Sequence, residues 1–230
     1  MLPEPGEALQ LVKTPAETPD TPKQVKLHLT LDAQGNVVGE GTEVYSGFEA
    51  AYLRQALDRF DELQRKQAVE VALSRSFRGA ALDSLTVDTQ NACGAPLTLT
   101  YKFTSPHFAR VETGKLVLAT PIFPLSLGQR FIALAQRTTP LLITGNESSQ
   151  SEVRIDLPTG FKATVLGDPA NIQASFGAYK RAVRVEQGTL VLDEVSTLNQ
   201  GRIFPKAYPD FMKWTAAVDQ AQQQQMELSQ

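Results

Sequence analysis

Strict alternation of apolar and polar residues constrains this chain more than any other feature. Val25, Leu27, Leu29 and Leu31 alternate with Lys26, His28, Thr30 and Asp32. A period of two places the apolar set on one face of an extended backbone, which predicts a half-buried strand. Ala33 to Asn36 supply turn residues, and VVGEGTEVY continues as a second strand, completing a hairpin. The same period returns in LTVDTQ (85–90), LTLTYKF (97–103), FARVE (108–112) and KLVLAT (115–120). It returns again in LLITG (141–145), SEVRIDL (151–157), KATVLG (162–167), IQASFG (172–177), AYKRAVRVE (178–186) and TLVLDEVSTL (189–198). Thr113-Gly114, Pro158-Thr159-Gly160 and Gln187-Gly188 mark the turns between them.

Two stretches switch to helical spacing between the hairpin and the later strands. Ser46 and Glu49 have the S-x-x-E spacing of a capping box, and Phe48, Tyr52, Leu53, Ala56, Leu57 and Phe60 fall on one expected face. A second pattern runs through LQRKQAVEVALSRSF, with Leu63, Val69, Ala72, Leu73 and Phe77, and Gly79 as its stop. A third helix is expected after Tyr208, with Pro209 in its first turn and Phe211, Thr215, Val218 and Ala221 as its stripe beside Trp214. Residues 121–140 contain three prolines and read as a long crossing connection.

The expected fold class is mainly β (α+β), an antiparallel β-sandwich with two early helices and one C-terminal helix. The expected organisation is a Pro-rich linker or extended arm at 1–23, a hairpin-plus-helices unit at 24–80, and the sandwich with its last helix at 81–230.

A 42% apolar and 20% charged composition suits a folded chain with a sizeable core. The formal net charge of −3 demands no basic face, so nucleic acid is not an expected partner. No apolar run reaches the ~20 residues of a membrane-spanning helix. MLPEPGEALQ has neither the basic nor the apolar region of a signal peptide. A single cysteine, Cys93, excludes an internal disulfide and argues against a thiolate zinc site.

No constellation states a chemistry by itself. Cys93 and His107 would need each other, and an orienting Asp83 or Asp88, to form a nucleophile and base; both sit in turn-like surroundings, and surface turns are the plainer reading. His28 alternates outward and reads as a surface residue rather than a metal ligand. Asp32, Asn36 and Glu40 lack the spacing of a calcium loop and read as a hairpin turn. Lys180, Arg181, Arg184 and Arg202 could make an anion patch. Lys180 and Arg184 share a strand face that Arg181 does not, and Glu186, Asp193 and Glu194 dilute the charge, so a solvated face is favoured. Tyr179, Tyr208, Phe211 and Trp214 could form an aromatic platform, although Phe211 and Trp214 belong to a helix that must cover apolar surface. Catalytic, metal and cofactor sites are therefore all expected to be absent.

The order of short motifs resembles a bacterial module. Gly6-Glu7-Ala8-Leu9 and a Pro-rich 15–22 segment precede a D-x-x-G turn at Asp32 to Gly35. Tyr45-Ser46-Gly47 and a helical Arg54 follow, then R-x-x-P-L from Arg137 to Leu141 and L-P-x-G-F from Leu157 to Phe161. F-G-x-Y from Phe176 to Tyr179 and I-x-P-x-x-Y-x-x-F from Ile203 to Phe211 close the set. Across residues 6–228 this resembles the C-terminal β-domain, of unknown function, that follows a transglutaminase-like domain in bacterial multidomain proteins. The resemblance implies that the catalytic domain lies upstream, that its Cys, His and Asp or Asn are not carried here, and that the protein is periplasmic or associated with the cell envelope. The expected role is non-catalytic: an accessory domain acting by contact with the upstream transglutaminase-like domain or another protein. The alternatives are a stand-alone carbohydrate- or wall-binding sandwich and, with no motif to support it, a hydrolase.

Overall fold

The computed structural model describes residues 21–89 and 94–230. Their elements are, in chain order, β1 (Lys23–Leu31), β2 (Val37–Tyr45), α1 (Gly47–Asp58), α2 (Glu62–Leu73), β3 (Ala81–Thr89) and β4 (Leu97–Ser105). Then come β5 (Ala109–Glu112), β6 (Lys115–Leu118), α3 (Leu127–Phe131), β7 (Leu141–Ile143), β8 (Glu147–Asp156) and β9 (Lys162–Val165). The last are β10 (Ala170–Ala174), β11 (Gly177–Glu186), β12 (Thr189–Leu198), β13 (Gly201–Ile203), α4 (Tyr208–Gln222) and β14 (Met226–Ser229).

Eight strands form the main sheet in the order β10–β11–β12–β8–β1–β2–β4–β3. A smaller sheet has the order β5–β6–β14–β9, and β13 pairs with β7. The fold is α+β and mainly antiparallel, with open sheets, as the alternation predicts. One pair departs from the expected antiparallel plan: β1 and β8 run parallel, Leu27 facing Val153 and Leu29 facing Ile155. Parallel neighbours require a long crossover. Here everything from β2 to β7 lies between them in sequence. The β1–β2 hairpin thus sits at the centre of the sheet, and the boundary expected at residues 80/81 falls inside a shared core.

Among the described residues, the main sheet is covered mainly on one face. Val25, Leu27, Leu29 and Leu31 of β1 are buried, while Lys26, His28 and Thr30 are exposed. In β4, Leu97, Leu99, Tyr101, Phe103 and Ser105 are buried. Each fully buried Leu or Phe contributes ~1.5–3 kcal/mol relative to exposure. The first core joins these strands to Leu57 of α1, Val69 and Leu73 of α2, Phe77, and Leu116, Met226 and Leu228 of the smaller sheet. A second core gathers Tyr179, Leu198, Ile203, Tyr208, Phe211, Trp214 and Val218 around α4.

Two glycines in β2 make room for aromatic rings. A Cβ on Gly39 would stand 2.4 Å from Cε1 of Phe103, and one on Gly41 2.3 Å from the Tyr101 ring. Both aromatic rings therefore lie directly across bare backbone.

Several local expectations need correction. Ser46 is the N-cap of α1 but makes no side-chain cap bond; the reciprocal capping box belongs to Asp61 and Gln64 at α2. The buried side of α1 is Ala50, Leu53 and Leu57, whereas Phe48, Tyr52 and Phe60 are exposed. Leu63 of α2 is likewise exposed. Apolar spacing alone did not decide the face, because the sheet offers room for only one of two adjacent stripes. The 121–140 connection contains the short α3, and β13 and β14 are additional strands.

Candidate functional site

The most unusual chemistry lies on the covered face of the main sheet, in a polar seam between the two cores. Strand register builds it. Leu99, Glu43, Val25, Ser151, Glu194 and Arg181 stand side by side across β4, β2, β1, β8, β12 and β11. The next row brings Lys23, Ser149, Ser196 and Tyr179 together. Two carboxylates thus occupy positions whose parity matches buried leucines and valines.

At one end, Glu43 accepts hydrogen bonds from Tyr45 Oη and, at 2.9 Å, Tyr101 Oη. Lys23 Nζ lies 2.8 Å from the same carboxylate and 4.6 Å from the centre of the Tyr45 ring. Burial pushes the Glu43 carboxyl upward, but the Lys23 charge and the three hydrogen bonds outweigh it and hold the group below its ordinary range. Burial, then the neighbouring Glu43 charge, raises both tyrosine hydroxyls, so they remain donors.

At the other end, Glu194 Oε1 accepts from Tyr179 Oη and, at 3.4 Å, from Gln222 Nε2 of α4. Arg181 is Glu194's cross-strand neighbour, yet its guanidinium donates to the carbonyls of Asp168 at 3.0 Å and Leu166 at 3.3 Å. Burial raises the Glu194 carboxyl, and the bonds from Tyr179 and Gln222 and the Arg181 charge offset this only in part. Gln222 also accepts from Leu125 N at 2.9 Å and donates to Phe123 O at 3.2 Å. It therefore fastens the end of α4 to both the sheet and the crossing connection. A cavity of about 20 Å³ beside this end is lined by Leu125, Tyr179, Ser196, Leu198 and Trp214 among others.

Three strand intervals separate Glu43 from Glu194, or roughly 14 Å at the usual interstrand spacing. That exceeds the separation across which two carboxyl groups can act on one glycosidic bond. Ser149 and Ser196 share a 2.7 Å hydrogen bond on the same face. Neither histidine lies near them in register: His28 is on the opposite face, 2.7 Å from Asp156, and His107 occupies a turn at φ 53. The seam's hydrogen bonds fasten neighbouring strands to one another and α4 to the sheet.

The residues singled out in the sequence do not converge. Cys93 lies outside the described residues. Asp83 and Asp88 are exposed on β3. Asp32 accepts from Gln34 N at 2.9 Å, Asn36 N at 2.8 Å and Asn36 Nδ2 at 2.9 Å, so its carboxylate closes the hairpin. Glu40 pairs with Lys102. Among the described residues no three His, Cys, Asp or Glu side chains are grouped to hold a metal ion. Arg181 is buried, whereas Lys180 and Arg184 face the open side, where Arg184 is bound by Glu186 and Asp193. Tyr179, Tyr208, Phe211 and Trp214 are all buried in the second core, Phe211 and Trp214 stacking at 5.9 Å.

Glu43 is not among the sequence candidates, and Glu194, expected to dilute the charge of a solvated face, is instead buried. Their signal is parity: Glu43 keeps step with Val37 and Tyr45, and Glu194 with Leu190 and Leu192.

The exposed aromatic residues lie elsewhere. Phe48 and Tyr52, one turn apart on α1, are 80% and 62% exposed and stack with ring centres 6.5 Å apart. Beside them a shallow depression is lined by Ala51, Arg54, Gln55, Asp58 and Arg59. Arg54 donates to Ala95 O at 2.9 Å.

Residues 115–228 match the model of a family described as a domain of unknown function with solved-structure structure (DUF3858). The match runs from the first residue of β6 into β14 and includes α4 and the Glu194 end of the seam. No curated protein matches the chain. No helix among the described residues is long and apolar enough to cross a membrane.

Proposed function

We propose that this chain is a non-catalytic accessory β-domain that works by protein contact, as the C-terminal part of a bacterial protein with a transglutaminase-like domain upstream. The observation that carries the reading is the stacked pair Phe48–Tyr52. Two large side chains standing out of α1 at 80% and 62% exposure are characteristic of contact surfaces. The described chain enters the fold at the same place: Lys23 at the start of β1 sits over the Tyr45 ring, and Tyr45 leads through Ser46 into α1. The start of β1 therefore lies beside the strand that leads into α1, which supports α1 as the surface a preceding domain would meet. The transglutaminase-like neighbour, and with it the proposed periplasmic or envelope location, rests on the resemblance of the motif order from residue 6 to 228.

The test begins with the reading frame upstream of this chain. A transglutaminase-like domain encoded there, expressed separately, should bind the chain, and Phe48→Asp with Tyr52→Asp should abolish that binding without altering thermal stability. A stop codon upstream, or binding unaffected by the double substitution, refutes the reading. The carbohydrate-binding alternative would use the same stacked pair, since sugar rings pack on flat aromatic surfaces. Retention of the chain on insoluble glycan or cell wall, lost in the same double variant, would favour it.

A further inference from the structure

The main sheet has two edges, and they are not equivalent. β10 is five residues long, and its Ala170 and Ile172 pack against the second core beneath α4. β3 is nine residues long and, among the described residues, pairs only with β4. Near its start a register shift between Leu82 and Ser84 marks a bulge, and Leu82 N is satisfied by Glu70 Oε1 of α2 at 2.9 Å. That part of the edge is already occupied. Beyond the bulge the strand runs regularly, with Leu85, Thr86, Val87 and Asp88 opposite Tyr101, Thr100, Leu99 and Thr98.

Edge strands in soluble proteins are commonly guarded by lysines or by charges pointing inward. β3 has neither. Its inward positions here are Leu85 and Val87, both half-buried at the margin of the first core. Its only charged residues are Asp83 and Asp88, both exposed.

We infer that the β3 edge from Ser84 to Thr89 receives an extended segment of another protein that alternates apolar with basic residues. The inference rests on the proposed role in protein contact and names a second contact surface for it. Main-chain hydrogen bonds from the added strand would satisfy the open edge. Its apolar side chains would extend the row begun by Leu85 and Val87, and its lysines or arginines would lie beside Asp88 and Asp83. A second copy of this chain fits poorly. Antiparallel self-pairing offers no lysine or arginine from either β3, and in the register that sets Leu85 against Val87 each Asp88 comes beside the other copy's Ser84 and near its Asp83. Carboxylates would meet with no cation between them.

The experiment is a titration of the isotopically labelled chain, read by amide chemical shifts, with a short peptide alternating lysine and valine. A matched peptide alternating glutamate and valine serves as control. The lysine peptide should shift Ser84 to Thr89, and the glutamate peptide should leave them unmoved. Asp88→Lys should weaken the lysine peptide about threefold, in keeping with a single cross-strand charge pair, and strengthen the glutamate peptide. Equal binding of both peptides, shifts confined to Ala170–Ala174 or to α1, or no shift up to the peptide's solubility limit overturns the inference. Repeating the titration on the Phe48→Asp, Tyr52→Asp variant separates the two proposals. Edge binding that persists there leaves the strand-addition site standing even if the α1 contact fails.

Discussion

Replacing Gly41 by Ala is a small change with a large expected effect. The backbone at Gly41 is ordinary extended strand, so an alanine meets no conformational penalty of its own. Its Cβ, however, would stand 2.3 Å from two carbons of the Tyr101 ring and 2.6 Å from its hydroxyl. Tyr101 is 1% exposed and packs beside Phe103, which leaves the ring little room to retreat. Overpacking of this kind costs about 1–3 kcal/mol. Any shift of the ring also stretches the 2.9 Å bond to Glu43, and a hydrogen bond to a charged group is worth about 1.5–3 kcal/mol. Gly41→Ala should therefore destabilise the fold by about 3–5 kcal/mol. Tyr101→Phe, which keeps the ring and removes only the hydroxyl, should cost about 1.5–3 kcal/mol. Urea unfolding followed by far-ultraviolet circular dichroism and by fluorescence of Trp214, the chain's single tryptophan, measures both. In a double-mutant cycle, Tyr101→Ala should relieve at least about 1 kcal/mol of the Gly41→Ala penalty, because the clashing ring is gone. A Gly41→Ala cost below about 1 kcal/mol, or strict additivity in the cycle, would refute the close-approach argument.

Glu194→Gln tests the other end of the seam. The folded protein raises this carboxyl above its ordinary value of 4.5, so the group's favourable contribution is complete below that pH and is lost as pH rises through the folded value. The variant should match the parent near pH 4 and be at least as stable at pH 7; a Gln variant that loses stability at pH 7 contradicts the assignment. Phe211→Ala should cost about 3–5 kcal/mol, because Phe211 is fully buried against Phe131, Phe176 and Trp214. A change in melting temperature of only a degree or two would show that the second core adds little to global stability. Phe48→Ser with Tyr52→Ser should change the unfolding free energy by no more than about 0.5 kcal/mol in urea titration, as expected of side chains that contact solvent. A larger loss would mean that the pair supports the fold.

Most of the strand positions were legible because one face of the main sheet is buried and the other is largely open. That asymmetry writes itself into Val25 to Leu31 and Leu97 to Phe103 as a period of two. The β1–β8 pairing was not legible, since alternation records which face is buried and says nothing of which strand lies alongside or in which direction. β14 escaped because four residues, Met226 to Ser229, are too few to establish a period after the run of glutamines. Those glutamines proved to be fasteners: Gln222 binds the sheet and the crossing connection, and Gln224 accepts a hydrogen bond from Asp168 N. The exposed stripe of α1 was misjudged because Phe48 and Tyr52 are the more apolar choice locally, while the sheet takes the smaller Ala50 with Leu53 and Leu57. The seam was visible only as an anomaly, two glutamates at buried parity, and its hydrogen-bond partners come from residues up to fifty-eight positions from Glu43 and twenty-eight from Glu194.

The central claim is that α1 is a contact surface for a domain delivered at the start of β1. Hydrogen–deuterium exchange compares it most directly in two proteins: this chain alone, and the product of its complete reading frame. The account predicts added protection over Gly47–Asp58 in the longer protein, removed by Phe48→Asp with Tyr52→Asp. Identical exchange of α1 in the two proteins would contradict it.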